Sequence, residues 1–252
     1  MDLLRSIGLF VSALAVVVLT MLPATQSMFV FPWIYLAAHL ADTMFHECGH
    51  AVFAWAMGHP AIPSILTAFG SDQASGVTLT MGHSWIVQAG VWAAMAYGCW
   101  WLWRQDARGR AIGAGVLAGA LAGLSLWEHA SLVWTYMGHG SAMLVGGFFL
   151  YRGVLNLSAR SMYERWLNLF LGLFMLLDNG RFAWQLAFDA TERAHYEAIA
   201  VFGGHHDYAA MADEWYRLSV KGVAEGAVVE AVLVTLAALL LAYWHRFDDY
   251  EA

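Results

Sequence analysis

His46-Glu47-Cys48-Gly49-His50 sets two imidazoles four residues apart, with a carboxylate directly after the first. On a helix, residues i and i+4 share one face, so both rings point at one place. Two imidazoles arranged this way suit a tetrahedral zinc ion. The adjacent carboxylate then serves as general base toward the water that the metal activates. The spacing carries the mechanism: the ligands must converge, and Glu47 must reach the water without ligating. The alternative use of the same residues is a hydrogen-bonded polar patch that holds helices together.

Further residues have the chemistry to join such a site. His39 and Asp42 lie one to two turns before His46. They are read as partners that fix an imidazole tautomer, or as plain cross-helix contacts. Glu128-His129 is read as an extension of the site or a proton relay. Asn168 is read as a polar interhelical contact. His83 and His139 are expected at the membrane interface without a role.

The elements that must position these groups follow from composition. The chain has 252 residues, 60% hydrophobic and only 12% charged, where a soluble domain carries about a quarter charged residues. Too little polar surface remains to cover a water-soluble body, so the bilayer is the better solvent. Thirteen Trp and ten Tyr suit the headgroup layer. The net charge of −7 gives no basic face for nucleic acid, and two cysteines, Cys48 and Cys99, give no disulfide framework. The predicted fold is all-α, a single integral membrane domain over 1–252 forming a polytopic bundle of about six to seven spans. The apolar runs lie at roughly 5–23, 29–57, 84–103, 111–136, 141–156, 165–188 and 218–244. The first reads as a retained transmembrane helix rather than a signal peptide. The stretch 59–83 is more polar, and Val77-Thr78-Leu79-Thr80 reads as a short strand. A polar loop, 189–217, contains Gly203-Gly204-His205-His206-Asp207.

Arg104, Arg108 and Arg110, and then Arg152, Arg160 and Arg165, fall on one side of this arrangement, which predicts a cytoplasmic face there and an external N-terminus; Arg5 points the other way. Spans two, four and six end on the opposite side. His46 and His50 lie about ten residues before the end of span two, and Asp178 lies as far before the end of span six. At about 1.5 Å per residue they share a depth, with Glu128-His129 in the same layer and Asp207 in the loop that opens there.

Met44-Phe45-His46-Glu47-Cys48-Gly49-His50-Ala51-Val52 resembles the motif helix of the site-2 protease family of intramembrane zinc metallopeptidases. Gly76-Val77-Thr78 and Trp85-Ile86-Val87-Gln88-Ala89-Gly90 are similar to the segment that follows the motif in the compact branch lacking a PDZ domain. The resemblance covers about 40–90. It implies a zinc cofactor, a membrane protein or peptide substrate, and a third ligand from a downstream aspartate. Asp178, in Leu176-Leu177-Asp178-Asn179-Gly180, resembles the family's Leu-Asp-Gly element with Asn179 inserted. Asp207, in His206-Asp207-Tyr208-Ala209, resembles the compact branch's Ser-Asp-Ala element. Asp178 is the favoured ligand, because an unpaired intramembrane carboxylate is costly; Asp207 is the alternative, and Arg181 offers Asp178 a salt bridge instead. Asn179 joins His39, Asp42, Glu128 and His129 as a candidate supporting residue.

The expected function is therefore zinc-dependent hydrolysis of peptide bonds in membrane-associated substrates, by a multi-pass protein of a bacterial inner membrane. Two other classes fit parts of the pattern. Histidines at matched depth, such as His46 or His50 with His129, are also the material of an axial haem site in an electron-transfer protein, although that role gives Glu47 no task. A non-catalytic member of the fold would instead serve as a subunit of a membrane complex.

Overall fold

Pro32, in the first turn of the motif helix, needs no backbone hydrogen bond there, and its fixed φ suits helix entry. This helix, α2 (Phe31–Ala56), follows α1 (Leu3–Met21) and ends where Gly58 adopts φ +83°, a left-handed conformation that glycine takes without a steric cost. The computed structural model describes residues 3–25, 27–67, 74–155, 161–201, 206–214 and 218–248. After α2 comes an antiparallel hairpin of β1 (Ala61–Thr67) and β2 (Ala74–Thr80), paired from Ala61 opposite Thr80 to Thr67 opposite Ala74. The Thr-rich run thus forms the expected strand, and a small sheet joins an otherwise helical chain. The hairpin lies along α2.

The remaining helices are α3 (Trp85–Arg104), α4 (Arg108–Ser125), α5 (Ala130–Leu155), α6 (Met162–Phe188), α7 (Ala190–Val201), α8 (Asp207–Glu214) and α9 (Val220–Asp248). Ser84 and Ser161 cap α3 and α6 by accepting from the backbone N–H of Val87 and Glu164. Arg165, 2% exposed, donates to the carbonyls of Gly153 and Val154, so the end of α5 is closed by a cation, as the helix dipole favours.

The core lies where α2, α5, α6 and α9 meet, filled by Met143, Leu150, Leu169, Phe174 and Met175. Small residues set how closely these helices approach. A Cβ on Gly172 would sit 2.5 Å from the Leu150 backbone nitrogen, so α5 and α6 pack backbone against backbone. Gly49 faces Ser141 and the Met137 carbonyl in the same way, which brings α2 onto α5. α1 packs on α6, with Trp166 Nε1 donating to Ser12 Oγ at 3.1 Å.

One boundary differs from expectation. The predicted spans 111–136 and 141–156 put a turn at 137–140, but α5 runs unbroken through those residues, and the turn falls at Leu126-Trp127-Glu128-His129. The run Gly138-His139-Gly140-Ser141 looks like a break because its residues are small or polar. In fact their smallness admits α2, and the Ser141 hydroxyl is satisfied within its own helix by the Met137 carbonyl. Among the described residues, seven helices have 18 residues or more. Among the described residues, one stretch, Val220–His245, is both long and apolar enough to cross a membrane by length and hydropathy, and Arg5–Met21 is a shorter apolar helix.

Candidate metal centre

Helix α2 presents His46 and His50 on one face, as their spacing requires, with the two Nε2 atoms 3.0 Å apart. Facing them is Asp207, the first residue of α8, whose Oδ2 lies 3.0 Å from His46 Nε2 and 3.2 Å from His50 Nε2. Ligand atoms bound at about 2.0–2.1 Å to a tetrahedral zinc are about 3.3 Å apart, so the spacing of these three atoms fits one such ion. α8 has only eight residues, yet Asp207 is held firmly. Tyr208 is fully buried with Ala209 and Met211, and its backbone N–H donates to the Tyr196 hydroxyl at 3.2 Å.

The protonation of His50 follows from its other nitrogen. Nδ1 lies 2.7 Å from the Trp134 carbonyl of α5. A carbonyl only accepts, so Nδ1 carries the hydrogen, and the neutral form of the ring has its lone pair on Nε2, facing the cluster. Gly138, one turn after Trp134, leaves the space open: a Cβ there would meet His50 Nε2 and come within 2.8 Å of His46 Nε2. Lone pairs and a carboxylate converge on one place. The donor set of two imidazoles and one carboxylate is the kind zinc takes.

Glu47 is 5% exposed, with Oε1 4.0 Å from His46 Nε2. Strand β2 holds it. The Thr78 hydroxyl lies 2.6 Å from Glu47 Oε2 and 3.1 Å from the Glu47 carbonyl, and the absent side chain of Gly76 makes room for the carboxylate. The carboxylate is therefore beside the centre and anchored on the far side from it.

Asp178, the favoured third ligand by sequence, is not in this cluster. It pairs with Arg181 at 3.1 Å and with His39 Nδ1 at 3.5 Å, because the guanidinium one turn on neutralises it. His39, Asp42 and Asp178 form a second group one layer along α2 and α6. Asn179 joins the two groups. Its Nδ2 donates to Asp42 Oδ1 and Oδ2 at 3.0 and 3.1 Å, and its Oδ1 lies 2.9 Å from His139 Nδ1. Glu128 and His129 pair with each other at 3.6 Å in the α4–α5 turn, with the Glu128 side chain 83% exposed; they do not share the layer of the motif. The shifted helix boundary is the reason. His205 lies outside the described residues.

His139 is the residue that sequence reasoning left without a role. It is on α5, its Nε2 3.6 Å from Asp207 Oδ2 and its ring 4.4 Å from that of His46. A histidine flanked by glycines within an apolar run was the available signal. Gly138 was likewise given no role, and Gly76 and Thr78 entered only through the resemblance and the strand. The chain matches no protein-family model, no curated protein and no solved structure.

Proposed function

We propose that this chain is an intramembrane zinc metallopeptidase in which His46, His50 and Asp207 hold the metal and Glu47 is the general base. The observation that carries the reading is the convergence of two Nε2 atoms and one carboxylate oxygen within 3.0–3.2 Å of one another, with Glu47 beside them. Bound zinc supplies Lewis acidity, which activates water at neutral pH and stabilises the oxyanion of amide hydrolysis. Glu47 takes the proton from the attacking water and passes it to the departing amine, and Thr78 holds its second oxygen so that Oε1 keeps its direction. The helices supply rigid support, and α8 closes the site from the side of the 189–217 segment.

The multi-pass membrane setting is part of the proposal, and the distribution of polarity supports it. Ionisable groups are inside: Asp42, Glu47, His50 and Asp178 are all buried. Large apolar residues are outside: Ile86 on α3, Val116 and Leu117 on α4, and Leu233 and Leu240 on α9 are all more than half exposed. Apolar exposure of this extent is what lipid solvates. Tyr243 and Trp244 near the end of α9, and Trp100, Trp101 and Trp103 near the end of α3, stand where an aromatic belt would. An apolar groove of about 460 Å³, lined by Cys48, Val52, Trp55, Pro63, Met95 and Leu121, runs beside the motif helix and suits an apolar segment of a membrane protein or peptide.

His129, the axial partner that the haem reading needs opposite His46 or His50, lies in the α4–α5 turn beside Glu128 and outside the motif layer, which favours a bare ion over haem. Metal analysis of the detergent-purified protein tests the reading. About one zinc per chain, lost in His46→Ala, is expected. Absence of any metal from a folded protein would overturn it and leave the non-catalytic subunit as the better description.

A further inference from the structure

We propose that His139 is a fourth protein ligand of this metal, so that the resting centre is closed by His46, His50, His139 and Asp207. The inference rests on the metal-site reading above. It begins with Asn179, whose amide orientation the surroundings decide. Its Nδ2 lies 3.0 and 3.1 Å from the two Asp42 oxygens and 2.9 Å from the Met175 carbonyl, all acceptors. Turning the amide over would aim Oδ1 at a carboxylate, so Oδ1 faces His139. His139 Nδ1, 2.9 Å away, must then carry the hydrogen. The neutral ring is left with a lone pair on Nε2.

That lone pair meets the cluster. His139 Nε2 lies 3.6 Å from Asp207 Oδ2, and the ligand atoms of His46, His139 and Asp207 all lie within 4.8 Å of one another. An acceptor nitrogen beside a carboxylate oxygen, with no proton of its own to offer, calls for a cation between them. The arrangement Asp42–Asn179–His139 is also how a ligating imidazole is held, with the outer nitrogen donating into a hydrogen-bonded carboxamide or carboxylate. Ring contacts fix its plane: Phe182 stacks at 5.6 Å between centroids and Tyr208 lies at 4.7 Å.

The consequence concerns access. Four protein ligands make a closed centre of the structural kind, and hydrolysis needs an open position. Of the three imidazoles, His139 stands farthest from Asp207 Oδ2, at 3.6 Å against 3.0 and 3.2 Å. It is the ligand placed to give way. Latency is then built into α5, and opening requires His139 Nε2 to move away from Asp207.

Cobalt substitution of the full chain in detergent tests this without any cleavage assay. The wild type, which already contains Cys48 and Cys99, supplies the baseline spectrum. His139→Cys is expected to bind one cobalt and to gain an intense near-ultraviolet thiolate-to-cobalt band. His139→Ala, measured by chelator competition, is expected to bind cobalt at least about tenfold more weakly, with shifted visible bands. Cobalt bound by wild type and both variants with the same visible bands, the same affinity and no thiolate band would overturn the fourth ligand and leave the three-ligand centre standing. No cobalt in the wild type would overturn the centre itself, and this inference with it.

Discussion

The hydroxyl of Thr78 lies 2.6 Å from Oε2 of Glu47, tying the carboxylate of the motif helix to the second strand of the hairpin. A hydrogen bond to a charged group contributes about 1.5–3 kcal/mol. Thr78→Val keeps the shape and removes the donor, so it should lower kcat by about 10- to 100-fold while zinc content stays at the wild-type level. Thr78→Ser should restore most of the activity. Equal kcat for Thr78→Val and wild type would mean that the strand does not position the base.

Glu47→Gln separates binding from chemistry. Glu47 is beside the ligands, not among the three atoms that converge, so the variant should retain one zinc per chain. It should lose peptide cleavage by at least about 10²- to 10⁴-fold, the usual contribution of a general base. Cleavage that persists in this variant would exclude the proposed role.

The two aspartates should behave differently. Asp207→Ala removes an oxygen that both Nε2 atoms face and should weaken zinc binding strongly. Asp178→Asn leaves that cluster intact but deprives Arg181 and His39 of their carboxylate partner. It should lower the melting temperature with zinc retained. The opposite pattern by metal analysis would restore the ligand that the sequence favoured.

A methyl group should be enough to disrupt the centre without removing any ligand. Gly138→Ala places a Cβ within 2.8 Å of His46 Nε2 and onto His50 Nε2. Zinc affinity should fall while the helix content is preserved. Gly172→Ala is the packing control: its Cβ would press on the Leu150 backbone, far from the cluster, and should cost about 1–3 kcal/mol of stability without a specific loss of zinc. Thermal melts and metal titrations on both variants distinguish the two effects.

Membrane integration has its own test. With an exterior of residues such as Val116, Leu233 and Leu240, the chain should stay in the membrane pellet through an alkaline carbonate wash and leave it only with detergent. Release by carbonate alone would contradict the multi-pass reading.

The helical character, the motif helix and the short strand were legible because each depends on local pattern: i and i+4 spacing, apolar runs, and a β-branched stretch beside a glycine. What was illegible depends on packing. Residues 137–140 were read as a turn because Gly138, His139 and Gly140 lack apolar bulk; only the approach of α2 shows that this lack of bulk is what the contact needs. That misplaced boundary also put His139 at an interface and Glu128-His129 in the site layer. Depth along the expected spans made Asp178 the favoured ligand, but it stands one layer away, paired with Arg181 and His39. Depth alone could not distinguish it from Asp207, which reaches the centre on a short helix.

His50 takes its orientation from the main-chain carbonyl of residue 134, not from the tryptophan side chain. The contact therefore leaves no mark in residue identity. Position 134 can vary widely and still aim the imidazole, provided the helix around it is regular. What such a contact cannot tolerate is a break in the helix, because the direction of that carbonyl is set by the backbone of α5 and not by any side chain. For this centre, the smoothness of a helix is as heritable a requirement as any ligand.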